Sequence, residues 1–290
     1  MATVTLLDGG MGRELKRSGA PFHQPEWSAA ALSAAPESVA EVHRRFIHAG
    51  CAVITTNNYA VVPFHIGAER FELEGEALTE LAGRLAVEAA SEGVRVAGSL
   101  PPLAGSYRPD LFDPAMAEQL YPRIVAALAP FVDVWLGETI SCLAEATAIC
   151  TALRERDKPL WLAFTLDDDT GTAPRLRSGE SIDTACELAE AEGADGVLFN
   201  CSVPEVIGAA IAAVGAVPDR PFVFGGYANA FTPRPVDTEA NSEIAALRDE
   251  ITPEAYADTV MRWVDDGASV VGGCCGIGPE HIAALRARLG

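Results

Sequence analysis

The chain is short of positive charge. Its 290 residues carry 21 Lys and Arg against 41 Asp and Glu, a formal net charge of −20 at pH 7. Nucleic acids and anionic membrane surfaces are bound by clustered Lys and Arg, so neither is expected as a partner. The acidic residues are spread along the chain, as on an ordinary solvated surface. Long apolar runs are missing too. The best stretch, residues 124–136, is interrupted by Pro130 and Asp133, and a helix needs about 20 apolar residues to cross a bilayer. The first residues, Met1-Ala-Thr-Val-Thr, have neither the basic nor the apolar part of a secretory signal. The expected location is therefore cytoplasmic. No linker, low-complexity tract or charge block marks a second domain, so residues 1–290 are expected to form one domain. Histidine is scarce, at five, and the seven cysteines are an odd number. In a chain of this kind that favours free thiols and metal ligands over a disulfide framework.

What is present is a rhythm. Apolar residues make up 49% of the chain, enough for a sizeable core. Short apolar runs at 3–7, 52–56, 95–100, 132–136, 160–166, 194–199, 222–224 and 269–271 read as strands. Segments with helical spacing at 28–49, 76–91, 114–128, 141–154, 181–192, 204–214, 253–265 and 279–289 follow them in turn. A longer polar connection runs from strand seven to about residue 251. Near-continuous apolar strands are typical of a parallel sheet covered by helices. Eight strand–helix units in this length predict an α/β fold, a closed (β/α)8 TIM barrel. An open doubly wound sheet is the alternative, but no G-x-G-x-x-G opens the first helix.

In such a barrel the C-terminal strand ends share one mouth, where the chemistry sits. Strand eight ends in Gly272-Gly273-Cys274-Cys275-Gly276, and strand six ends in Asn200-Cys201-Ser202. Neighbouring side chains on a regular strand point to opposite faces, so two adjacent cysteines can serve one ion only if the backbone turns. Glycine permits such a turn, through positive φ or close approach. With Cys201 carried by a strand one neighbour away, three thiolates around one soft cation predict a zinc site with an open fourth position. The competing readings of the pair are buried small hydrophobes, a strained disulfide or a redox couple. A thiol-redox or zinc-storage protein would use the pair alone, with Cys201 elsewhere.

The same mouth is expected to receive Asp8, Asn57, Glu138, Asp167, Asn200, Tyr227 and Asn229. Asp8 and Glu138 each follow an apolar strand beside glycine, where either helix capping or ligand binding is possible. Asp167, Asp168 and Asp169 read as a solvated turn. Cys51, Cys150 and Cys186 read as packing, and Cys142 as a thiol near a helix start where the pKa can fall. The histidines suit a metal site poorly, and His281 is expected to face solvent. Tyr59, Tyr107, Trp135 and Tyr227 are candidates for cation–π contact with a cationic ligand.

Asp8-Gly9-Gly10-Met11-Gly12, Asn200-Cys201-Ser202 and Gly272-Gly273-Cys274-Cys275-Gly276, in this order and spacing, resemble the homocysteine S-methyltransferase family along essentially the whole chain. Thr56-Asn57, Val96-Ala97-Gly98-Ser99, Glu138 and Tyr227-Ala228-Asn229 add to the likeness. The resemblance implies zinc held by Cys201, Cys274 and Cys275, and homocysteine as the methyl acceptor, giving methionine. It implies Asp8 and Glu138 beside the acceptor's amino acid moiety, with Gly9, Gly10 and Asn57 around it. Backbone N–H groups at Gly9-Gly10 are expected to take the acceptor's carboxylate. Tyr59, Tyr107, Tyr227 and Asn229 fall on the donor side. Two loops depart from the family pattern: residues 98–107 in the third unit and Ala228–Pro233 after strand seven. They leave the donor open among S-methylmethionine, S-adenosylmethionine, dimethylsulfoniopropionate and betaine. Thr139 stands where the betaine-using branch has tyrosine, which makes betaine less favoured. Selenocysteine or another thiol or selenol acceptor would be served by the same chemistry. A zinc-assisted carbon–carbon lyase is disfavoured, because such sites lean on His and carboxylate ligands. Oligomeric state is not legible in the sequence.

Overall fold

The computed structural model describes residues 4–233 and 246–290. Residue 3, the expected start of strand one, lies outside the described residues, as does most of the polar connection after strand seven (234–245). Eight strands appear: β1 (Thr5–Leu6), β2 (Val53–Thr55), β3 (Arg95–Leu100), β4 (Val134–Ile140), β5 (Leu160–Phe164), β6 (Gly196–Asn200), β7 (Val223–Ala228) and β8 (Val270–Gly273). Every neighbouring pair is parallel, and β1 returns to β8 through Thr5↔Val270 and Leu6↔Val271. The remaining seam closes where Leu7 bridges Val53 and Asp8 N–H donates to Val53 O at 3.0 Å. The expected (β/α)8 barrel is what forms.

Strand alternation divides the core. Leu7, Val53, Ala97, Val134, Leu136, Ala163 and Leu198 point into the barrel, while their neighbours pack beneath the helices. Arg95, at the N-terminal start of β3, lies over the ring of the interior Trp161, 5.3 Å from its centroid. Trp135 falls on the outer side of β4, against the position of Gly98. It therefore cannot reach the mouth, and the cation–π role expected of it is withdrawn.

The helices are α1 (Met11–Arg17), α2 (Ser28–Ala34), α3 (Pro36–His48), α4 (Pro63–Ile66), α5 (Ala68–Ala89), α6 (Pro114–Leu128), α7 (Leu143–Ala152), α8 (Ile182–Ala191), α9 (Pro204–Gly215), α10 (Pro253–Asp265) and α11 (Pro279–Leu289). The single helix expected over 28–49 is two. Pro36 has no N–H to continue the ladder and forces Ala35 out of helical geometry, to φ −150° and ψ 59°. Helix α5 starts eight residues before the expected residue 76, because Gly75 and Gly83 lie inside it as packing points. A Cβ on them would meet Phe71 and Phe131 at 2.8 and 2.6 Å. None of the described helices is long and apolar enough to cross a membrane.

Candidate active site

The thiol pair is placed by steric necessity around β8. A Cβ on Gly272 would lie 2.5 Å from Leu7 Cβ, and one on Gly273 2.2 Å from Ile277 Cγ2. Only glycine lets the strand pass this close and turn at once into Cys274-Cys275. Gly276, at φ +86°, completes the turn. Gly10 abuts its outer side, since a Cβ there would sit 2.6 Å from Cys274 O. Cys201 leaves β6 at φ +51°, a left-handed conformation rare outside glycine, and its N–H donates to Tyr227 O at 3.2 Å. The sulfurs of Cys201, Cys274 and Cys275 then lie within 4.8 Å of one another. Cys201 is not elsewhere, so the pair does not act alone, and all seven cysteines are free thiols.

These thiols bound a cavity of about 170 Å³ that also receives Asp8, Gly9, Gly10, Asn57, Tyr59, Tyr107, Glu138 and Tyr227. Asp8 is no helix cap. Its carboxylate accepts Thr55 N–H at 2.8 Å and Thr55 Oγ1 at 3.2 Å, across the barrel seam. Glu138 is not beyond β4 but within it, at a bulge where the register to β5 shifts between Gly137 and Ile140. Thr139, at φ +60°, is gripped by Asn200, which accepts its N–H and reaches its Oγ1, both at 3.0 Å. That grip aims Glu138 inward, where it accepts Ser99 Oγ. Burial raises both carboxyls to about 7, against the pull of their hydrogen bonds. Tyr227 lies between the cysteine-bearing strands, and its buried hydroxyl meets no partner among the described residues.

Other expectations fail for local reasons. Asn229 does not line the cavity; its Oδ1 accepts Phe231 N–H at 3.0 Å and holds a turn. Asp167 and Asn200 also stay outside the lining. Asp168 is not solvated: it is 5% exposed and pairs with Arg177 at 2.8 Å. The Gly10 N–H is already committed to Ile277 O at 2.9 Å, so it is not available to a substrate carboxylate. Burial and nearby Glu145 push the Cys142 thiol up to about 11, opposite to the expected fall. His281 is buried, with its Nε2 3.0 Å from Ile251 O. Residues that sequence reasoning did not single out for the wall include Arg13, Phe22, Trp27, His65, Ser106 and Phe231. His65 sits on the short α4 with Nδ1 2.9 Å from Pro25 O, and burial lowers its pKa. The proline at the start of α4 was a usable signal for a helix there; nothing in the sequence placed Phe22 or Trp27.

The donor set suits a divalent soft ion. Cys274 is pushed well above the ordinary thiol range by hydrogen bonding to Cys201 and Cys275 and by burial. For Cys201 the contact with Cys274 favours the thiolate, but Cys275 and burial outweigh it and push it to about 12. Three such groups cannot ionise side by side in an apolar cavity without a cation. Fold and site together define a barrel enzyme with a three-thiol, metal-type centre at its C-terminal mouth. The model of the homocysteine S-methyltransferase family matches residues 5–289, and the chain belongs to that family. It is 27% identical over 316 residues to a selenocysteine Se-methyltransferase of Brassica oleracea var. italica, covering 98% of this chain and 88% of the relative. It is 27% identical to the homocysteine S-methyltransferase YbgG of Bacillus subtilis, covering 98% and 94%. The metallated form of the homocysteine methyltransferase MmuM from Escherichia coli superposes with a TM-score of 0.80 at 27% identity, covering 98% of this chain and 96% of MmuM.

Proposed function

We infer that this protein transfers a methyl group to the thiol of homocysteine, giving methionine, in a site that uses zinc. The observation that carries the reading is the meeting of three thiols within 4.8 Å, on strands six and eight, beside two buried carboxyls. Cys201, Cys274 and Cys275 would hold the ion. Zinc supplies the acceptor sulfur as a thiolate at neutral pH without a general base.

The chain's own groups do the rest. Asp8 and Glu138 face one cavity, and burial lets each keep its proton up to about pH 7 when nothing cationic is near. An ammonium group arriving between them favours the ionised forms, so the acceptor's amino end is fixed while its sulfur points to the thiols. Tyr59, Tyr107, Tyr227, Phe231 and Trp27 all line this cavity, an aromatic wall suited to a sulfonium or ammonium donor. Tyr59 is oriented by Ser106 at 2.6 Å. Held in line, the acceptor sulfur forms its bond to the methyl carbon as the donor's bond to that carbon breaks. The electron pair goes to the departing sulfur or nitrogen, which leaves neutral. Alignment of this kind supplies several kcal/mol of the barrier, up to about 7–11 in ideal cases. Small-molecule substrates are the partners this cavity suits.

The test is a donor panel of S-methylmethionine, S-adenosylmethionine, dimethylsulfoniopropionate and betaine with homocysteine, scored by methionine formed, alongside zinc content of anaerobically purified protein. No methionine from any donor, with zinc bound, would remove the reading. Selenocysteine is a second acceptor worth including, because the relatives include selenocysteine methyltransferases.

A further inference from the structure

Outside the cavity lining, one buried ion pair on the loop after β5 ties together two of the loops that build the cavity. Beyond β5 the chain makes a small hairpin in which Leu166 bridges Leu176 and Asp167 N–H donates to Arg175 O at 3.0 Å. This brings Arg177 Nη2 within 2.8 Å of Asp168 Oδ2, with side chains 1% and 3% exposed. The other carboxylate oxygen of Asp168 accepts Val203 N–H at 3.0 Å, two residues past Cys201. The guanidinium lies over the ring of Tyr107, 4.8 Å from its centroid. Tyr107 in turn hydrogen-bonds to Cys201. Tyr107 and Cys201 both hold left-handed backbones, at φ +66° and +51°. Such conformations persist only where the surroundings over-determine them.

We propose that Asp168 and Arg177 are positioning residues of the methyl-transfer site: Asp168 fixes the turn that aims Cys201 at Cys274 and Cys275, and Arg177 fixes the Tyr107 wall on the donor side. The proposal rests on the metal reading of the three thiols and goes beyond it. A pair that only knits loops together would be replaceable, since a buried ion pair exchanged for apolar residues of similar volume is often neutral for stability. A positioning pair would not be.

The decisive variant is Asp168→Leu with Arg177→Met in the full chain. Zinc affinity is measured by competition with a chromophoric chelator, and folding by circular dichroism and melting. The expected result is a parent-like melt with zinc affinity lowered about tenfold or more, the range seen when residues behind a ligand are removed. A loss below threefold overturns the proposal. Arg177→Lys keeps a charge for Asp168 and loses the flat stack on Tyr107. It is expected to hold zinc within twofold and to raise KM at least fivefold for whichever donor of the panel gives methionine with the parent; an unchanged KM overturns the role given to Arg177. If the double variant does not fold, Asp168→Asn takes its place, with zinc affinity at least threefold lower expected and an unchanged value refuting. A parent chain that binds no zinc would sink the metal reading itself, whereas a zinc-binding parent with an unaffected variant sinks only the positioning role.

Discussion

Glu138→Gln separates binding from stability, because the two should move in opposite directions. Glutamine keeps the shape of the side chain and an acceptor for Ser99 Oγ. Burial lifts Glu138 from 4.5 to about 7, a preference for the neutral form of ~3 kcal/mol. A carboxyl raised in this way binds more protons folded than unfolded between those values. Substrate-free stability therefore falls as pH rises from about 4.5 to 7. Glutamine carries no such penalty, so the variant should melt several degrees above the parent at pH 8 and match it at pH 5. Binding should go the other way. Removing one partner of a buried charge pair costs about 2–5 kcal/mol. Asp8 remains across the same cavity and shares the ammonium, so the lower end applies, ~2–3 kcal/mol or roughly 30- to 150-fold in Kd. The parent's affinity for homocysteine should also rise between pH 6 and 8, as Asp8 and Glu138 release their protons. Calorimetric titration of zinc-loaded protein reads the affinity, and scanning calorimetry of the metal-free protein reads the stability. A homocysteine Kd within threefold of the parent refutes the ammonium role, and zinc lost from the variant would assign Glu138 to the metal instead.

Cys201→Ser, Cys274→Ser and Cys275→Ser should each lose zinc and methyl transfer together, checked by metal content and methionine formation; full zinc in all three would refute the site. Gly273→Ala puts a methyl 2.2 Å from Ile277 Cγ2, so it should cost about 1–3 kcal/mol and weaken zinc binding, read by melting and chelator competition. His43 is wholly buried, its ring nitrogens meet no partner among the described residues, and burial lowers its pKa from 6.5 to about 4. His43→Leu should therefore stabilise by roughly 1–3 kcal/mol at pH 7. The gain should grow toward pH 5, where the unfolded parent takes up a proton that the native imidazole refuses.

The barrel was legible because its signals are short-range. Apolar strands, helical spacing and a glycine or proline at most junctions recur through the chain, and the β8 glycines stand beside the thiols they release. Cys201 was legible because strand order alone brings strands six and eight to one mouth. Side-chain direction was not legible. Trp135 and Leu136 look alike as apolar residues of β4, and the pleat alone sends one outward and the other in. Asn229 follows Tyr227 by two residues, yet its carbonyl is consumed by the Phe231 N–H. The acidic triplet read as solvent-facing because its partner, Arg177, arrives from across a hairpin that no local pattern announces. His281 was misplaced for a similar reason, since Ile251, which accepts its ring, is 30 residues away.

Strain marks the site independently of the thiols. Among the described residues five non-glycines hold positive φ: Trp27, Tyr107, Thr139, Cys201 and Asp219. Four of them, all but Asp219, line the one cavity that contains the cysteines. Each such residue costs of order 1–3 kcal/mol, so four in one place oppose folding by an amount comparable to the net stability of many domains. Chance placement would scatter them over the loops, as Asp219 is. Each also has an identifiable restraint: Asn200 on Thr139, the Tyr227 carbonyl on Cys201, Arg177 on Tyr107, and His23 O accepting Trp27 N–H at 2.7 Å. Restraints of this kind suit a reaction that needs a thiolate and a methyl carbon held in line, since relaxation of any of the four would move a wall or a ligand of the same small space. Thr139→Gly would relieve the backbone locally and still be expected to raise the Kd for homocysteine, read by the same calorimetric titration, because Glu138 owes its direction to that strained neighbour.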